Sequence, residues 1–206
     1  MVRNLFCALA LAGVAMPLAA APLNVRVLDA SGRPVRDAVV TLYPAGAARP
    51  ARAGGRYMVA QKDLQFRPFL TVVPVGADVS FPNLDPTKHH VYSFSSAKRF
   101  ELKLFAKDQS RTVHFDKPGV VALGCNIHDQ MSAFVFVTNS AWTARTNAQG
   151  IASFADAPNA PTRVALWHPY LRAPGGQVEQ SIAANQRNLG FQVRLRAPPP
   201  AMAMDY

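Results

Sequence analysis

Residues 120–137 read Val-Val-Ala-Leu-Gly-Cys-Asn-Ile-His-Asp-Gln-Met-Ser-Ala-Phe-Val-Phe-Val. The apolar runs at both ends of this stretch are typical of buried β-strands. The stretch therefore predicts two strands joined by a short loop, and the loop carries Cys125, His128 and Met131. A thiolate, an imidazole and a thioether are donor types that suit copper as it changes between its two oxidation states. We therefore predict a copper site in this loop.

The first 21 residues have the pattern of a secretory signal peptide. Arg3 gives a positive start, Leu5 to Met16 is apolar, and Ala19-Ala20-Ala21 supplies small residues for cleavage. We predict that residues 1–21 are removed and that the mature protein is periplasmic. An uncleaved membrane anchor is the alternative, because no charged residue lies between Leu5 and Leu23.

Removal of this segment changes the cysteine count. The chain has two cysteines, Cys7 and Cys125, and only Cys125 stays in the mature protein. A lone thiol in an oxidising compartment cannot form an internal disulfide and is open to oxidation. A small buried hydrophobic side chain is the ordinary alternative. The nearby His128 and Met131 favour a metal ligand instead.

The composition indicates an all-β chain with a basic surface. Of 206 residues, 17 are proline and 50% are hydrophobic, and the apolar runs are short and rich in Val and Phe. The formal net charge of +10 favours an acidic partner protein. No block of Lys and Arg is interleaved with aromatic residues, so the sequence does not favour nucleic-acid binding. We expect membrane attachment only if the signal segment stays uncleaved.

Short strands are predicted along the whole mature chain. At its start, Leu23 to Leu28 alternates, Asp29 to Gly32 is a turn and Val35 to Tyr43 returns, which predicts a hairpin. Residues 198–206 are rich in Pro and Ala, and we predict a disordered tail there. Further strands are predicted at 57–60, 69–73, 78–81, 91–95, 101–105, 110–115, 120–123, 134–138, 163–167 and 189–195.

A copper site needs at least one strong ligand more than the loop contains. His89 and His90 are the candidates, because they follow a polar, proline-containing loop and precede a predicted strand. Two imidazoles and one thiolate, with a long axial Met, form the ligand set of electron-transfer copper sites. Strand alternation lets only one of two adjacent side chains face such a site.

With these ligands in view, residues 57–138 resemble the cupredoxins, the blue-copper fold of plastocyanin, amicyanin and pseudoazurin. The resemblance implies a Greek-key β-sandwich that holds one copper ion. It rests on four short motifs: Phe81-Pro82-Asn83, the His-x-Val step at 89–91, Lys117-Pro118-Gly119, and Cys-x-x-His-x-x-Met at 125–131.

The resemblance also implies a role for each candidate ligand. Cupredoxins commonly read His-Asn-Val at the upstream ligand, so His89 matches the ligand. His90 then matches the Asn that ties the two ligand loops together, and it stays an alternative ligand. Cys125 and His128 match the other equatorial ligands, with Met131 as the axial one.

The loop departs from the family in its length. Plastocyanin-like proteins usually place four residues between the second His and the Met, whereas only Asp129 and Gln130 intervene here. This spacing leaves open whether Met131 is the axial ligand. Residues 89–104 and 124–131 also resemble bacterial exported cupredoxin-like proteins often labelled methylamine utilisation proteins, which implies a redox setting without naming a substrate.

The segments that flank this region resemble something else. Residues 32–42 and 146–154 are similar to carboxypeptidase regulatory-like β-sandwiches, in which both signatures belong to one small domain. We therefore predict that residues 22–56 and 139–197 form a second sandwich around a copper domain at 57–138. A single enlarged sandwich is the alternative.

Several other polar residues are given ordinary roles. We expect His114 and His168 to be surface or structural histidines rather than ligands. Asp85 and Asp129 lie beside the proposed ligands, where each could orient a histidine, present a docking charge or be a solvated loop acid.

The sequence predicts a protein that is not an enzyme. Multicopper oxidases and copper nitrite reductases need further histidine clusters, typically His-x-His pairs, and the five histidines here include no such pair. The expected function is an exported mononuclear copper protein that carries one electron between redox partners. A copper carrier that does not cycle, or an envelope binding module in which copper is incidental, is the alternative.

Overall fold

The computed structural model describes residues 22–197. Apart from a 3-10 turn at Pro174–Gly176, the regular elements of this part of the chain are strands, so the all-β prediction is confirmed. Among these residues no helix is long and apolar enough to span a membrane. The predicted signal segment and the predicted disordered tail lie outside the described residues. The strands are β1 Leu23–Asp29, β2 Val39–Pro44, β3 Tyr57–Met58, β4 Ala60–Lys62, β5 Gln65–Arg67, β6 Leu70–Pro74, β7 Ala77–Pro82, β8 His89–Ser95, β9 Lys98–Phe105, β10 Ser110–Phe115, β11 Gly119–Cys125, β12 Ser132–Thr138, β13 Thr143–Arg145, β14 Ile151–Phe154, β15 Thr162–Trp167, β16 Gln177–Ile182 and β17 Asn188–Val193.

The central part of the chain forms one β-sandwich. Its sheets have the strand orders β6-β12-β11-β8-β9 and β10-β7-β3, and the hairpin β4-β5 lies beside them. The chain crosses between the sheets from β6 to β7 to β8, and again from β9 to β10 to β11, which gives Greek-key connections. Alternate residues of each strand point inward, as in β11, where Val121, Leu123 and Cys125 are buried. The resulting core encloses the start of β8 and the end of β11.

The strands before and after this sandwich pair with one another. One sheet has the order β14-β1-β17 and the other β13-β2-β15-β16. Their inward side chains form a separate buried cluster, which includes Val25, Val40, Trp142, Val164 and Phe191. Pairing of this kind is what an inserted central domain requires. The predicted domain boundaries, after residue 56 and before residue 139, stay a prediction.

The predicted hairpin at the start of the chain is wrong. β1 pairs with β14 and β17, whereas β2 pairs with β13 and β15, so the two strands lie in different sheets. Between them the chain makes one isolated bridge, from Leu28 to Pro34, and Asp37 takes a positive φ of 61°. The Asp29 N–H donates to the Arg33 carbonyl at 2.8 Å and the Val35 N–H donates to the Val27 carbonyl at 3.0 Å, and after Asp37 the chain enters the other sheet as β2.

A third apolar cluster joins the two sandwiches. Val39 and Trp167 of the flanking sandwich are buried with Leu70 of the central one, with Phe134 and Phe136 packed against them. The Trp167 ring lies 5.7 Å from the ring of Phe134 and 5.5 Å from that of Phe136, centroid to centroid. Contacts at these distances add to the free energy gained from apolar burial. The outer face of β12 is therefore covered by the flanking sandwich.

Candidate metal centre

Three candidate ligands meet at one end of the central sandwich. The Nδ1 atom of His89 lies 3.7 Å from Cys125 Sγ, and the Nδ1 atom of His128 lies 3.6 Å from the same sulfur. The three donor atoms lie within 4.8 Å of one another. Among residues 22–197, His89, Cys125 and His128 are the group of His, Cys, Asp or Glu side chains that lie close enough together to hold a metal ion.

The strands place these residues through their pairing register. β8 begins at His89 and β11 ends at Cys125, and Cys125 is the register partner of Val91. His89 and Cys125 therefore point inward from neighbouring strand ends. The loop then turns back, with the Met131 N–H donating to the His128 carbonyl at 3.0 Å, and brings His128 over the sulfur. Each donor thus comes from a position that the backbone hydrogen bonds fix.

The tautomer of His89 follows from the contact between its Nε2 atom and Asp85. His89 Nε2 lies 2.8 Å from a carboxylate oxygen of Asp85, and the exposed fraction of the His89 residue is 0%. An ionised carboxylate only accepts hydrogen bonds, so Nε2 carries the proton and donates it. With the proton on Nε2, Nδ1 is the ring nitrogen that faces Cys125 Sγ, at 3.7 Å. Metal-binding histidines characteristically pair with a carboxylate or carbonyl in this way.

Asp85 itself is held by a buried network. It accepts hydrogen bonds from the backbone N–H groups of Asp63 at 2.7 Å and Leu64 at 3.0 Å. Asn83 accepts from the Asp85 N–H at 2.9 Å and donates to the carbonyls of Thr87 and Phe105. The loop that precedes His89 is therefore fixed at several points, and Asp85 is not the solvated loop acid that the sequence left open.

The electrostatics of the site favour neutral histidine and ionised aspartate. Partial burial, with a smaller effect of His89, lowers the pKa of His128 below its ordinary value despite the opposite effect of Asp85. Burial acts to raise the pKa of Asp85, but the hydrogen bonds from His89, Leu64 and Asp63 outweigh it and the pKa is lowered. A lowered pKa keeps His128 in the neutral form that metal ligation needs, and it keeps Asp85 ionised as the acceptor of the His89 Nε2–H hydrogen bond.

The separation of the donor atoms fits one ion. A transition metal such as zinc makes bonds of about 2.3 Å to thiolate sulfur and about 2.0 Å to imidazole nitrogen, so it can bridge a sulfur and a nitrogen up to about 4.3 Å apart. The separations of 3.6 and 3.7 Å lie inside that limit. One thiolate and two imidazoles are donors that copper accepts.

His90 points away from the three donors. Its Nε2 atom lies 2.8 Å from Glu101 on the neighbouring strand β9, so the structure brings His89 and not His90 to Cys125. The sequence suggested that the His90 side chain could tie the two ligand loops together, and that suggestion is wrong. The loops are tied by the His90 main-chain carbonyl, which accepts from the Asn126 N–H at 3.2 Å.

Met131 is buried in the same core cluster as Cys125, with an exposed fraction of 2%. Its role as an axial ligand stays a prediction.

The remaining polar candidates have other surroundings. His114 is exposed and pairs with Asp78 at 2.8 Å. His168 is buried in the flanking part of the chain, where its Nδ1 accepts from the Tyr170 N–H at 3.2 Å. Asp129 is exposed beside His128. The two histidines thus have the ordinary roles that the sequence predicted.

Sequence reasoning missed the turn that holds Asp85. Asp63 and Leu64 join β4 to β5 with positive φ angles of 55° and 52°. Turns of this kind usually contain Gly or Asn, and neither residue is present to mark it. The buried Asn83 belonged to the cupredoxin-like motif Phe81-Pro82-Asn83 but was not identified as part of the site.

The chain resembles solved structures that include cupredoxins and a copper-containing nitrite reductase. A Cu(I) form of an amicyanin mutant is 22% identical over 48% of this chain and 98% of its own, with a TM-score of 0.38. A purple cupredoxin from Nitrosopumilus maritimus is 19% identical over 40% of this chain and 99% of its own, with a TM-score of 0.36. The nitrite reductase, from Thermus scotoductus, is 21% identical over 47% of this chain and 25% of its own, with a TM-score of 0.40.

No protein-family model and no curated protein matches the chain. The resemblance of the flanking segments to carboxypeptidase regulatory-like modules stays a prediction.

Proposed function

We propose that this protein binds one copper ion through His89, Cys125 and His128 and carries one electron between redox partners. The observation that carries the proposal is the convergence of three donor atoms within 4.8 Å, with the histidine tautomer set by Asp85. Met131 is proposed as a weak axial ligand. Export to the periplasm is proposed from residues 1–21 of the sequence, which lie outside the described part.

The residues of the site suit electron transfer because they hold their positions. Cys125 and His89 lie at the paired ends of β11 and β8, and the Asn83 and Asp85 hydrogen bonds fix the loop before His89. Copper, when bound, would supply a single-electron couple between its cupric and cuprous states. Ligands that move little as the charge changes keep the reorganisation small, and burial of Cys125 and His89 excludes water.

His128 provides the edge of the site that a partner can approach. It is partly exposed, whereas His89 and Cys125 are buried. Two apolar residues, Ile127 next to His128 and Leu84 in the loop before His89, each have an exposed fraction of 45%. We propose that these exposed side chains form part of a small contact with the partner, because short-lived complexes between redox proteins have small interfaces. The net charge of +10 favours a partner with an acidic surface.

Copper loading of the mature protein tests the proposal. Cupric ion should bind in a one-to-one ratio and give an intense visible thiolate-to-copper band, and Cys125→Ser should abolish that band. His114→Ala is the matched control for His128→Ala, because His114 is an exposed imidazole distant from the sulfur in sequence and paired with Asp78. Absence of the band in the wild type, or its persistence in Cys125→Ser, would refute the proposal.

Redox cycling separates an electron carrier from a copper carrier with the same ligands. We expect the visible band of the copper-loaded protein to return fully after repeated reduction and reoxidation. We also expect no copper in the buffer that is separated from the protein by filtration. Loss of copper to an apo acceptor at each reduction would favour the copper carrier.

A further inference from the structure

Asp85 is a buried anion that contacts a candidate ligand directly. The exposed fraction of the residue is 5%, and one carboxylate oxygen lies 2.8 Å from His89 Nε2. The same oxygen accepts from the Leu64 N–H, and the other accepts from the Asp63 N–H. All three partners are N–H donors, which is the arrangement that an ionised carboxylate needs.

The turn that supplies two of these donors has an unusual backbone. Asp63 and Leu64 both take positive φ angles, a conformation that is unfavourable for a leucine. Their N–H groups converge on Asp85 from the tip of the β4-β5 hairpin. The hairpin is therefore linked to His89 through a single carboxylate.

The buried charge of Asp85 acts on the ion through the imidazole. Cupric ion carries one positive charge more than cuprous ion, so a nearby buried anion stabilises the cupric state more. A carboxylate that accepts a hydrogen bond from Nε2–H also makes the lone pair of Nδ1 a stronger electron donor to a metal. Both effects lower the reduction potential.

We propose that Asp85 is a positioning residue of this site, which fixes His89 with Nδ1 toward Cys125 and shifts a bound copper ion toward its cupric state. This inference rests on the copper function proposed above. It also assigns the β4-β5 hairpin to the site, since the Asp63 and Leu64 N–H groups hold the carboxylate in place.

Two substitutions separate the charge from the hydrogen bond. Asp85→Asn can keep one oxygen facing His89 and Leu64 while it removes the negative charge and the acceptor of the Asp63 N–H, and Asp85→Ala removes every hydrogen bond of the carboxylate. In Asp85→Asn we expect the affinity for cupric ion to fall about tenfold relative to that for cuprous ion, which corresponds to a rise in reduction potential of about 59 mV. Asp85→Ala should raise the potential at least as much and broaden the visible band as His89 loses its fixed orientation.

Asp129→Asn is the matched control. It removes one carboxylate next to His128, but Asp129 is exposed and water screens its charge. Asp129→Asn should therefore change the reduction potential less than Asp85→Asn does. Equal shifts in Asp85→Asn and Asp129→Asn, or no shift in either, would overturn the inference.

The metal-free protein gives a second readout that needs no variant. Nitrogen-15 NMR of the imidazoles should show His89 with its proton on Nε2, and a proton on Nδ1 instead would overturn the inference even if both Asp85 variants fail to fold. Lack of a thiolate-to-copper band in the wild type would refute the copper function itself. A normal band with an unchanged Asp85→Asn potential would refute only the role of Asp85.

Discussion

The two candidate histidine ligands are held in different ways. His89 is fully buried and its Nε2 is fixed by Asp85, whereas His128 is partly exposed and belongs to a loop of six residues between β11 and β12. A ligand fixed from behind keeps its orientation when the charge on the metal changes. If both histidines bind the metal, the pair would combine one buried ligand with one that is open to solvent.

Substitution of Met131 separates packing from ligation. Met131→Leu conserves volume and should lower the free energy of unfolding of the metal-free protein by less than about 1.5 kcal/mol, whereas Met131→Ala should lower it by about 2–5 kcal/mol. If Met131 is the axial ligand, Met131→Leu should also change the copper spectrum and potential, because the axial ligand tunes both. Urea unfolding and voltammetry provide the two measurements. A spectrum and a potential identical to those of the wild type would assign Met131 to packing alone.

At the level of elements, local pattern predicted the positions of strands better than their partners. The alternation of residues 23–28 predicted β1, but nothing in it told that β1 pairs with β14 and β17 rather than with β2. Alternation defines which face of a strand is buried, and the choice of partner depends on the whole core.

The site shows the same division between what sequence reveals and what it does not. Cys125 and His128 could be named from their donor chemistry in one short loop, whereas His89 was preferred to His90 through the resemblance to cupredoxins. The sequence offered the orientation of a histidine as one possible role of Asp85. It did not predict the burial of Asp85, which depends on a turn at Asp63 and Leu64 where the leucine takes a positive φ that such turns rarely give to it.

A glycine in the flanking sandwich tests the turn between β13 and β14. Gly150 has a φ of 70°, its carbonyl accepts from the Val27 N–H at 2.7 Å, and a side chain there would collide with the Val27 carbonyl oxygen. Gly150→Ala should lower the free energy of unfolding by about 2 kcal/mol or more, because the strained φ and the backbone collision add. Chemical denaturation measures the change. Gly190→Ala is the control, since no atom lies within 4 Å of the added carbon, and it should be close to neutral; equal losses in the two variants would contradict this account.

Across the whole molecule, the two sandwiches share an apolar contact that covers one face of β12. Trp167 forms its centre, and Arg145 adds a hydrogen bond to the Leu70 carbonyl at 3.1 Å. We expect this contact to make the two sandwiches unfold together. Copper bound to the central sandwich would then also stabilise the flanking one by mass action.

Removal of the central tryptophan tests this coupling. In calorimetry, copper should raise the single melting temperature of the wild type. In Trp167→Ala the trace should split, and copper should raise only the transition of the central sandwich. Trp142→Ala is the matched control, because Trp142 is buried in the core of the flanking sandwich. This substitution removes a similar side-chain volume but leaves the contact between the two sandwiches intact. Two transitions in the wild type, or a single one in Trp167→Ala, would show that the contact does not couple the sandwiches.

Anomalous diffraction at the copper edge, from crystals of the copper-loaded protein, shows whether His89, Cys125 and His128 together bind copper. One strong peak should lie about 2.0–2.3 Å from His89 Nδ1, Cys125 Sγ and His128 Nδ1. A peak only at exposed histidines such as His114, or none among these three atoms, would contradict the proposed copper site.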